Sequence, residues 1–269
     1  MVEIFQNIRK IYDFVLPFEE LADFIEFFAE SSTELTRRHF ENECFTVKMF
    51  ASWTPTFYIN LGSPYYIDLA KHRYLVKADQ DILVLRNSTI ERINQPFDNI
   101  FTVKFYPGGL EAILGLSQLG VVDKVINLKG ILPDSLLVKM KHAINFTERV
   151  ELMQCFLLNS FRKRRNNDHY LAMVRDAIGE YHAADFQLNT SAVAERLFIT
   201  SKTINRYFHR VVGVSPKSYF SILRARNALS HFIDSEKQFE PDDYGYYDMS
   251  HFYKDQMKFT GQKLKEQGI

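Results

Sequence analysis

Residues 189–214 read Asn189-Thr-Ser-Ala-Val-Ala-Glu-Arg-Leu-Phe-Ile-Thr-Ser-Lys-Thr-Ile-Asn-Arg-Tyr-Phe-His-Arg-Val-Val-Gly-Val214, and this stretch decides the fold of the C-terminal part. Asn189 and Thr200 are helix-capping residue types, because their side-chain oxygens accept hydrogen bonds from the free N–H groups of a first turn. They predict a short helix that contains Ala194 and a second helix from Ser201 to about Val211. Two short helices joined by a tight turn, with a small residue where they cross, form a helix-turn-helix.

The outward side chains of the second predicted helix are all hydrogen-bond donors. In the major groove of DNA, Arg pairs bidentately with guanine and Asn pairs with adenine. These side chains are therefore the candidate DNA-binding residues of the first motif: Lys202, Thr203, Asn205, Arg206, His209 and Arg210.

Local charge supports this prediction, although the total charge does not. The chain has 33 basic and 33 acidic residues, so its formal net charge is zero. Between Arg196 and Ile233, however, there are seven Lys or Arg residues and no Asp or Glu. A basic patch in a neutral chain is typical of a nucleic-acid surface. An ordinary helical bundle with one basic face is the alternative, because helix-turn-helix patterns are easily matched by chance.

A second motif follows the first. Ser215 and Pro216 form a cap and first-turn pair that starts a helix reaching to about Ile233. Further on, Asp248 can cap a helix that begins at Met249, with Phe252 facing inward. The candidate DNA-binding residues of this helix are Met249, Ser250, Tyr253 and Lys254.

The stretch from Val193 to Gly261 resembles the paired helix-turn-helix module of the AraC family of transcription regulators. The matching residues are Ala194, Thr200, Ile204, Arg206, Phe208, the Gly213-Val-Ser-Pro216 turn, Tyr219, Arg224, Ala228, the Gly245-Tyr-Tyr-Asp-Met-Ser-His-Phe252 string, Phe259 and Gly261. The resemblance implies a sequence-specific regulator that places two recognition helices in successive major grooves, roughly 34 Å apart. It implies double-stranded DNA as the partner, with RNA polymerase and a second copy of the chain as candidate partners.

This chain departs from the family pattern in its second motif. Phe239-Glu240-Pro241 replaces the usual Ile-Ala of the supporting helix, and a buried Phe is expected near Gln256. Six carboxylates accompany a single base, Lys237, in this stretch: Asp234, Glu236, Glu240, Asp242, Asp243 and Asp248. We therefore expect the second motif to bind DNA less well than the first. A protein-interaction adaptor that has lost specific DNA binding is the alternative function.

The N-terminal part has a different pattern. Short aromatic and β-branched runs separated by Gly, Pro, Asn and Asp extend from Cys44 to Tyr106, which predicts a small, mostly antiparallel barrel or sandwich. Helical spacing predicts a helix from Pro17 to Phe28 before it and a long helix from Thr147 to about Arg165 after it. The fold class is therefore α+β, with a domain at 1–165 and an all-α DNA-binding domain at 169–269.

The N-terminal domain is predicted to act as a sensor. The segments Ile59–Pro64 and Phe105–Leu110 are similar to the sensor domains attached to some family members. Small barrels can hold one ligand, so Trp53, Tyr58 and Tyr66 are the candidate residues for an unidentified small-molecule effector. The stripe of Val150, Met153, Leu157 and Phe161 on the long helix predicts either a homodimer interface or packing within its own domain.

Other function classes lack their motifs. The sequence has no GxSxG, HExxH or P-loop, so we predict no catalytic residues, and neither a cofactor nor a metal is expected. Two cysteines without a CxxC pair favour a reducing compartment. The N-terminus lacks the apolar stretch of a signal peptide. The sequence also lacks a run of about 18 apolar residues, so no membrane span is predicted. These features together predict a cytoplasmic protein.

Overall fold

The structure is a computed structural model that describes residues 11–41, 43–164, 168–234 and 238–261. Within these ranges the chain forms ten strands, all before residue 128, and nine α-helices. The strands are β1 (Tyr12–Val15), β2 (Ile25–Ser31), β3 (Phe45–Met49), β4 (Pro55–Asn60), β5 (Tyr65–Leu69), β6 (His72–Val76), β7 (Ile82–Leu85), β8 (Ile90–Asn94), β9 (Ile100–Phe105) and β10 (Val125–Asn127). The helices are α1 (Thr33–Phe40), α2 (Gly109–Leu114), α3 (Asp134–His142), α4 (Phe146–Arg164), α5 (His169–Ala183), α6 (Thr190–Arg196), α7 (Ser201–Val211), α8 (Pro216–Asp234) and α9 (Met249–Thr260).

The strands form two antiparallel sheets. One has six strands in the order β1-β2-β9-β4-β7-β10, and the other has four in the order β3-β8-β5-β6. Neither sheet closes on itself in the described part of the chain. Of the predicted barrel or sandwich, the structure therefore has two separate sheets and not a closed barrel. The predicted fold class is confirmed: an α+β protein whose β-rich N-terminal region with flanking helices is followed by an all-helical region.

Both faces of the six-stranded sheet are covered, one by the four-stranded sheet and the other by helices, and both contribute apolar side chains to buried clusters. Val47 of β3, Ile67 of β5 and Val84 of β7 belong to a buried cluster shared by the two sheets. On the other face, Phe57, Val103 and Phe105 pack with residues of α2, α3 and α4. Strands β4, β7 and β9 are accordingly buried at every residue. Strand β7 has the continuous apolar run typical of such strands, whereas β4 and β9 also bury polar residues such as Asn60 and Lys104.

The stripe on α4 is part of this second cluster. Val150, Met153 and Leu157 are at most 5% exposed, and the ring of Phe161 lies 4.8 Å from that of Phe24. The stripe packs within its own domain and is not available to a second copy of the chain. Of the two alternatives that the sequence left open for this stripe, the structure supports packing within its own domain.

The helix predicted from Pro17 to Phe28 is also wrong. Glu19–Leu21 forms one 3-10 turn, and Ile25 onward is the strand β2, which is buried along its whole length between β1 and β9. Leu21, Ile25 and Phe28 do face a common core. The periodicity correctly predicted which residues are buried, but it predicted the wrong secondary structure. Pairing with two neighbouring strands overrides a short helical spacing.

The C-terminal part is all helical within the described residues. The first cluster of this part joins α5, α6 and α7 to the start of α8, through residues such as Val174, Ala194 and Phe208. A second cluster joins the rest of α8 to α9 through Leu229, Phe232 and Phe252. The long helix α8 therefore belongs to both, as expected for a connector between two motifs.

Helices α4 and α5 lie on either side of the predicted domain boundary. Residues 165–167, including Arg165 of the basic run, lie outside the described residues. Arg162 of that run forms an ion pair with Glu20 rather than pointing freely into solvent. None of the described helices is both long enough and apolar enough to span a bilayer.

Candidate nucleic-acid interface

The first motif has the local geometry that its capping residues predict. The Asn189 side chain accepts a hydrogen bond from the Ala192 N–H at 2.9 Å, and the Thr200 hydroxyl accepts one from the Thr203 N–H at 3.1 Å. Ala194 is 1% exposed where α6 meets α7. These caps satisfy backbone donors at the start of each helix and so fix where the helices begin.

Five of the six predicted residues of α7 form one exposed row. They are Lys202, Asn205, Arg206, His209 and Arg210, and their spacing of three and four residues places them on one face of the helix. The opposite face, with Ile204 and Phe208, is buried. Thr203, the sixth, is half-buried, and its hydroxyl lies 3.0 Å from that of Thr200, so it supports the cap.

The structure divides the seven cations of the acid-free window into two groups. Three pair with carboxylates outside that window: Arg196 with Glu180, Arg224 with Asp255 and Arg226 with Glu26. Lys202, Arg206, Arg210 and Lys217 are exposed, and none of these four has an ion-pair partner in the part of the chain that the structure describes. The free positive charge is thus concentrated on α7 and the first turn of α8.

Arg210 is nevertheless held in place. Its guanidinium lies 3.7 Å from the ring centroid of Tyr170, whose hydroxyl donates a 2.8 Å hydrogen bond to Glu111 of α2. A cation stacked on an aromatic ring loses rotational freedom but keeps its charge. Arg210 is therefore preorganised by α5 and the N-terminal domain, a role that the sequence pattern did not indicate.

The second motif differs from the first in its supporting element. Helix α6 supports α7, whereas a 3-10 turn at Pro241–Tyr244 precedes α9 among the described residues. Asp248 caps α9, with its carboxylate accepting a hydrogen bond from the His251 N–H at 2.7 Å. Gln256 takes the place expected for a buried Phe and is 0% exposed. Its Nε2 donates to the Ala225 carbonyl at 3.0 Å, whereas its Oε1 has no hydrogen-bond partner among the described atoms.

The exposed face of α9 carries three of its four predicted residues, Ser250, Tyr253 and Lys254. Met249 is half-buried against the α8–α9 cluster, so its predicted DNA contact has less surface available than its position suggested. Met257 and Lys258 continue the exposed row one turn further. Helical spacing from Ser250 could have identified both residues as part of this face.

The acidic stretch is only partly described. Glu236 lies outside the described residues, as does Lys237, and the Asp234 side chain is not described. Glu240, Asp242 and Asp243 are exposed, while the Asp248 carboxylate is engaged as a cap. Three exposed carboxylates therefore lie shortly before α9. The turn before α7, residues 197–200, contains no Asp or Glu.

The three aromatic residues predicted to bind an effector are not brought together. Tyr66 is 39% exposed on β5, and Tyr58 is buried between the sheets beside a cavity of about 30 Å³. Trp53 lies between the N-terminal and C-terminal parts, packed against residues of both. A cavity of about 30 Å³ holds roughly one or two waters, far less than the several hundred Å³ of a typical ligand site.

A larger cavity lies between the two parts of the chain and was missed by sequence reasoning. It has a volume of about 310 Å³ and is bounded by the N-terminal sheet, α5 and α8. Arg226 of α8 lies 3.2 Å from Glu26 of β2, and Glu26 lies 3.0 Å from the fully buried Lys104 of β9. The rest of the wall combines apolar or aromatic side chains with polar ones: Tyr106, Ile178, Phe186, Tyr219 and Leu223, together with Thr54, His182, Asn227, Ser230 and His231.

Both cysteines lie in the part of the chain that the structure describes. Cys44 and Cys155 are both exposed and unpaired. No group of three or more His, Cys, Asp or Glu side chains in the described ranges is arranged to hold a metal ion.

These features define a two-part protein with a β-rich N-terminal region and a helical C-terminal region that carries a capped, basic helix-turn-helix.

No family model matches the sequence, and no curated protein matches it. Solved structures with a similar arrangement include ToxT from Vibrio cholerae, at 12% identity and a TM-score of 0.48, covering 83% of this chain and 96% of that one. ToxT with a bound unsaturated fatty acid is similar at 13% identity and a TM-score of 0.45, covering 84% and 91%. The AraC-like transcriptional activator CuxR is similar at 12% identity and a TM-score of 0.35, covering 83% and 88%.

Proposed function

We propose that this protein is a sequence-specific, DNA-binding transcription regulator whose first helix-turn-helix supplies most of the affinity. The observation that carries the proposal is the exposed row of Lys202, Asn205, Arg206, His209 and Arg210 on α7. This row combines side chains that read base edges with cations that neutralise phosphates. Because the three other arginines of the window already pair with carboxylates, the free charge is concentrated on the surface that would face DNA.

Selection of bound sequences from random duplex DNA tests this proposal directly. The purified full chain should enrich a defined sequence, and a gel-shift titration should give tighter binding to it than to a scrambled duplex at the same salt concentration. Specific sites typically bind about 10³ to 10⁷ times more tightly than non-specific DNA. Absence of any enriched sequence would reject the proposal and favour the adaptor function.

We also propose that a small molecule regulates this activity by binding in the cavity between the N-terminal sheet and α5 and α8. Ligand sites occur preferentially at domain interfaces and combine apolar walls with a few polar groups, as this cavity does. An anionic group could pair with Arg226 in place of Glu26, while an apolar body would contact Tyr106, Tyr219 and Leu223. The selection repeated with a metabolite extract tests whether such an effector changes DNA binding. Loss of the response in Arg226→Gln, with DNA binding itself retained, would assign the response to this cavity.

The adaptor function has one specific observation in its favour. Phe198, in the turn between α6 and α7, is 97% exposed, and Tyr247, just before the Asp248 cap, is 88% exposed. Exposed aromatics are enriched in protein interfaces. If the selection fails, Phe198→Ala and Tyr247→Ala are the variants to compare in partner-binding assays.

A further inference from the structure

The segment between β3 and β4 connects the two sheets and lies between the two helix-turn-helix motifs. Strand β3 belongs to the four-stranded sheet and β4 to the six-stranded sheet, so residues 50–54 cross from one to the other. The segment is fixed to its own domain because the N–H groups of Ser52 and Trp53 both donate to the Arg86 carbonyl, at 2.7 and 2.8 Å. Trp53 has a φ of 51°, a value that bulky residues rarely adopt and that the surrounding contacts must hold.

Phe50 completes the core of the second motif. It is 0% exposed and belongs to the cluster formed by α8 and α9, with Ile222, Leu229 and Phe252. Its ring lies 6.2 Å from that of Phe259, near the end of α9. The N-terminal domain therefore provides one of the side chains that pack α9 against α8.

A hydrogen bond reinforces this attachment. The Thr89 hydroxyl donates to the Phe259 carbonyl at 3.0 Å, within the last turn of α9. The last carbonyls of a helix have no intrahelical partner, so this bond satisfies one of them with a group from the N-terminal domain.

Trp53 makes the corresponding contact with the first motif. It packs against the cluster that contains α7, and Gly213, just after α7, leaves room for it: an added Cβ would lie 3.1 Å from the indole. The Gln118 amide donates to the Trp53 carbonyl at 3.2 Å and to the Val212 carbonyl at 3.0 Å. The C-terminal end of α7 is thus bound to the same segment whose Phe50 is bound to α9.

We infer that Phe50 and Trp53 are positioning residues that fix the separation and relative orientation of α7 and α9, and so the half-site spacing that the protein accepts. The inference rests on the proposed DNA-binding function. The spacing between half-sites mirrors the distance between the recognition elements that read them. Within the C-terminal part, helix α8 connects the two motifs. The segment 50–54 of the N-terminal domain provides a second connection, because it contacts both motifs.

The test uses the full chain and duplexes that carry the selected site. One duplex keeps the selected spacing, one has half a helical turn inserted between the half-sites, and one retains only the first half-site. Phe50→Ala and Trp53→Ala should bind the complete site about tenfold more weakly than the unmodified chain, a typical size for coupling between two sites. Both variants should bind the first half-site with unchanged affinity and should discriminate less between the two spacings.

Conservative variants and a matched control separate positioning from general loss of stability. Phe50→Leu and Trp53→Phe should recover most of the spacing discrimination, because they keep an apolar side chain of similar size. Ile67→Ala removes a side chain that is also 0% exposed but lies between the sheets, so it should lower the thermal stability and leave the spacing preference intact. Full spacing discrimination in Phe50→Ala and Trp53→Ala, or equal weakening at both half-sites, would overturn the inference. An unmodified chain that selects no sequence would instead reject the proposed function.

Discussion

The Arg226 guanidinium of α8 lies 3.2 Å from the Glu26 carboxylate of β2, and these two residues join the connector helix to the N-terminal sheet. Glu26 also pairs with Lys104, so this carboxylate contacts two cations that are largely removed from water. Removing one member of a buried ionic group leaves an uncompensated charge, which costs far more than the loss of a surface pair.

Glu26→Gln should therefore lower the free energy of unfolding by about 3–5 kcal/mol, the typical cost of removing one partner of a buried ion pair. Urea unfolding followed by circular dichroism measures the change. Glu43→Gln, which neutralises an exposed carboxylate of the same domain, is the control and should have little effect. A loss below 1 kcal/mol for Glu26→Gln would contradict the prediction and mean that groups other than Glu26 stabilise Lys104 and Arg226.

Arg206→Ala should weaken binding to the selected site by about 1–3 kcal/mol, because Arg206 lies at the centre of the exposed row of α7 and is a type of side chain that reads guanine. A gel-shift titration at fixed salt measures the loss. Arg38→Ala removes an equally charged, exposed side chain from α1 and should leave the affinity unchanged. Equal effects of the two substitutions would exclude α7 as the recognition helix.

Lys202→Ala should reduce the magnitude of the slope of log affinity against log salt concentration by about 1, the effect of losing one phosphate contact. The reason is that each neutralised phosphate releases counterions. The exposed Lys202 lies in the first turn of α7. Affinities measured over a series of salt concentrations give the slope. The same series on Lys139→Ala, an exposed lysine of α3, should reproduce the slope of the unmodified chain. An unchanged slope for Lys202→Ala would place this side chain away from the phosphates.

Lys254→Ala should weaken DNA binding less than Arg206→Ala, and footprints should protect one half-site more strongly than the other. The reason is that exposed Glu240, Asp242 and Asp243 precede α9, and carboxylates near a phosphate backbone oppose binding. Equal losses for the two variants, together with equal protection of both half-sites, would show that the acidic stretch faces away from DNA.

Gln256→Met should raise the free energy of unfolding by about 1 kcal/mol. The substitution removes the buried Oε1 that lacks a described partner, a group that costs about 1–3 kcal/mol, and gives up one hydrogen bond of about 1 kcal/mol. Urea unfolding is the measurement. Ser250→Ala, on the exposed face of the same helix, should change stability little. A clear loss of stability in Gln256→Met would show that the Gln256 oxygen has a partner, such as an ordered water.

Much of the C-terminal part could be predicted from local signals. Asn189, Thr200 and Asp248 mark helix starts because capping is a contact between residues two or three positions apart. Their side chains make the predicted bonds. The outward residues of α7 and α9 follow from helical spacing alone, with Thr203 and Met249 less exposed than expected.

The N-terminal part was harder to predict because its structure depends on pairing between distant residues. The segment from Pro17 to Phe28 has helical spacing, yet β2 forms because Phe28 pairs with Val15 on one side and with Val103 on the other. The stripe of α4 could not be assigned from sequence, since an apolar face looks the same whether it covers its own sheet or a partner. Trp53, Tyr58 and Tyr66 lie in separate places, and their role in effector binding stays a prediction, because residue type does not indicate which core a ring enters.

The sequence by itself determined the helix starts of both helix-turn-helix motifs, the basic face of α7 and the change from a β-rich to an all-helical region, because capping, local charge and periodicity act over a few residues. Only the tertiary structure decided which cations stay free, since Arg196, Arg224 and Arg226 find carboxylates 16, 31 and 200 residues away. Only the tertiary structure, likewise, placed Phe50 in the core of the second motif and opened a cavity beside Arg226. These features depend on how separate elements pack, which chain order alone does not specify.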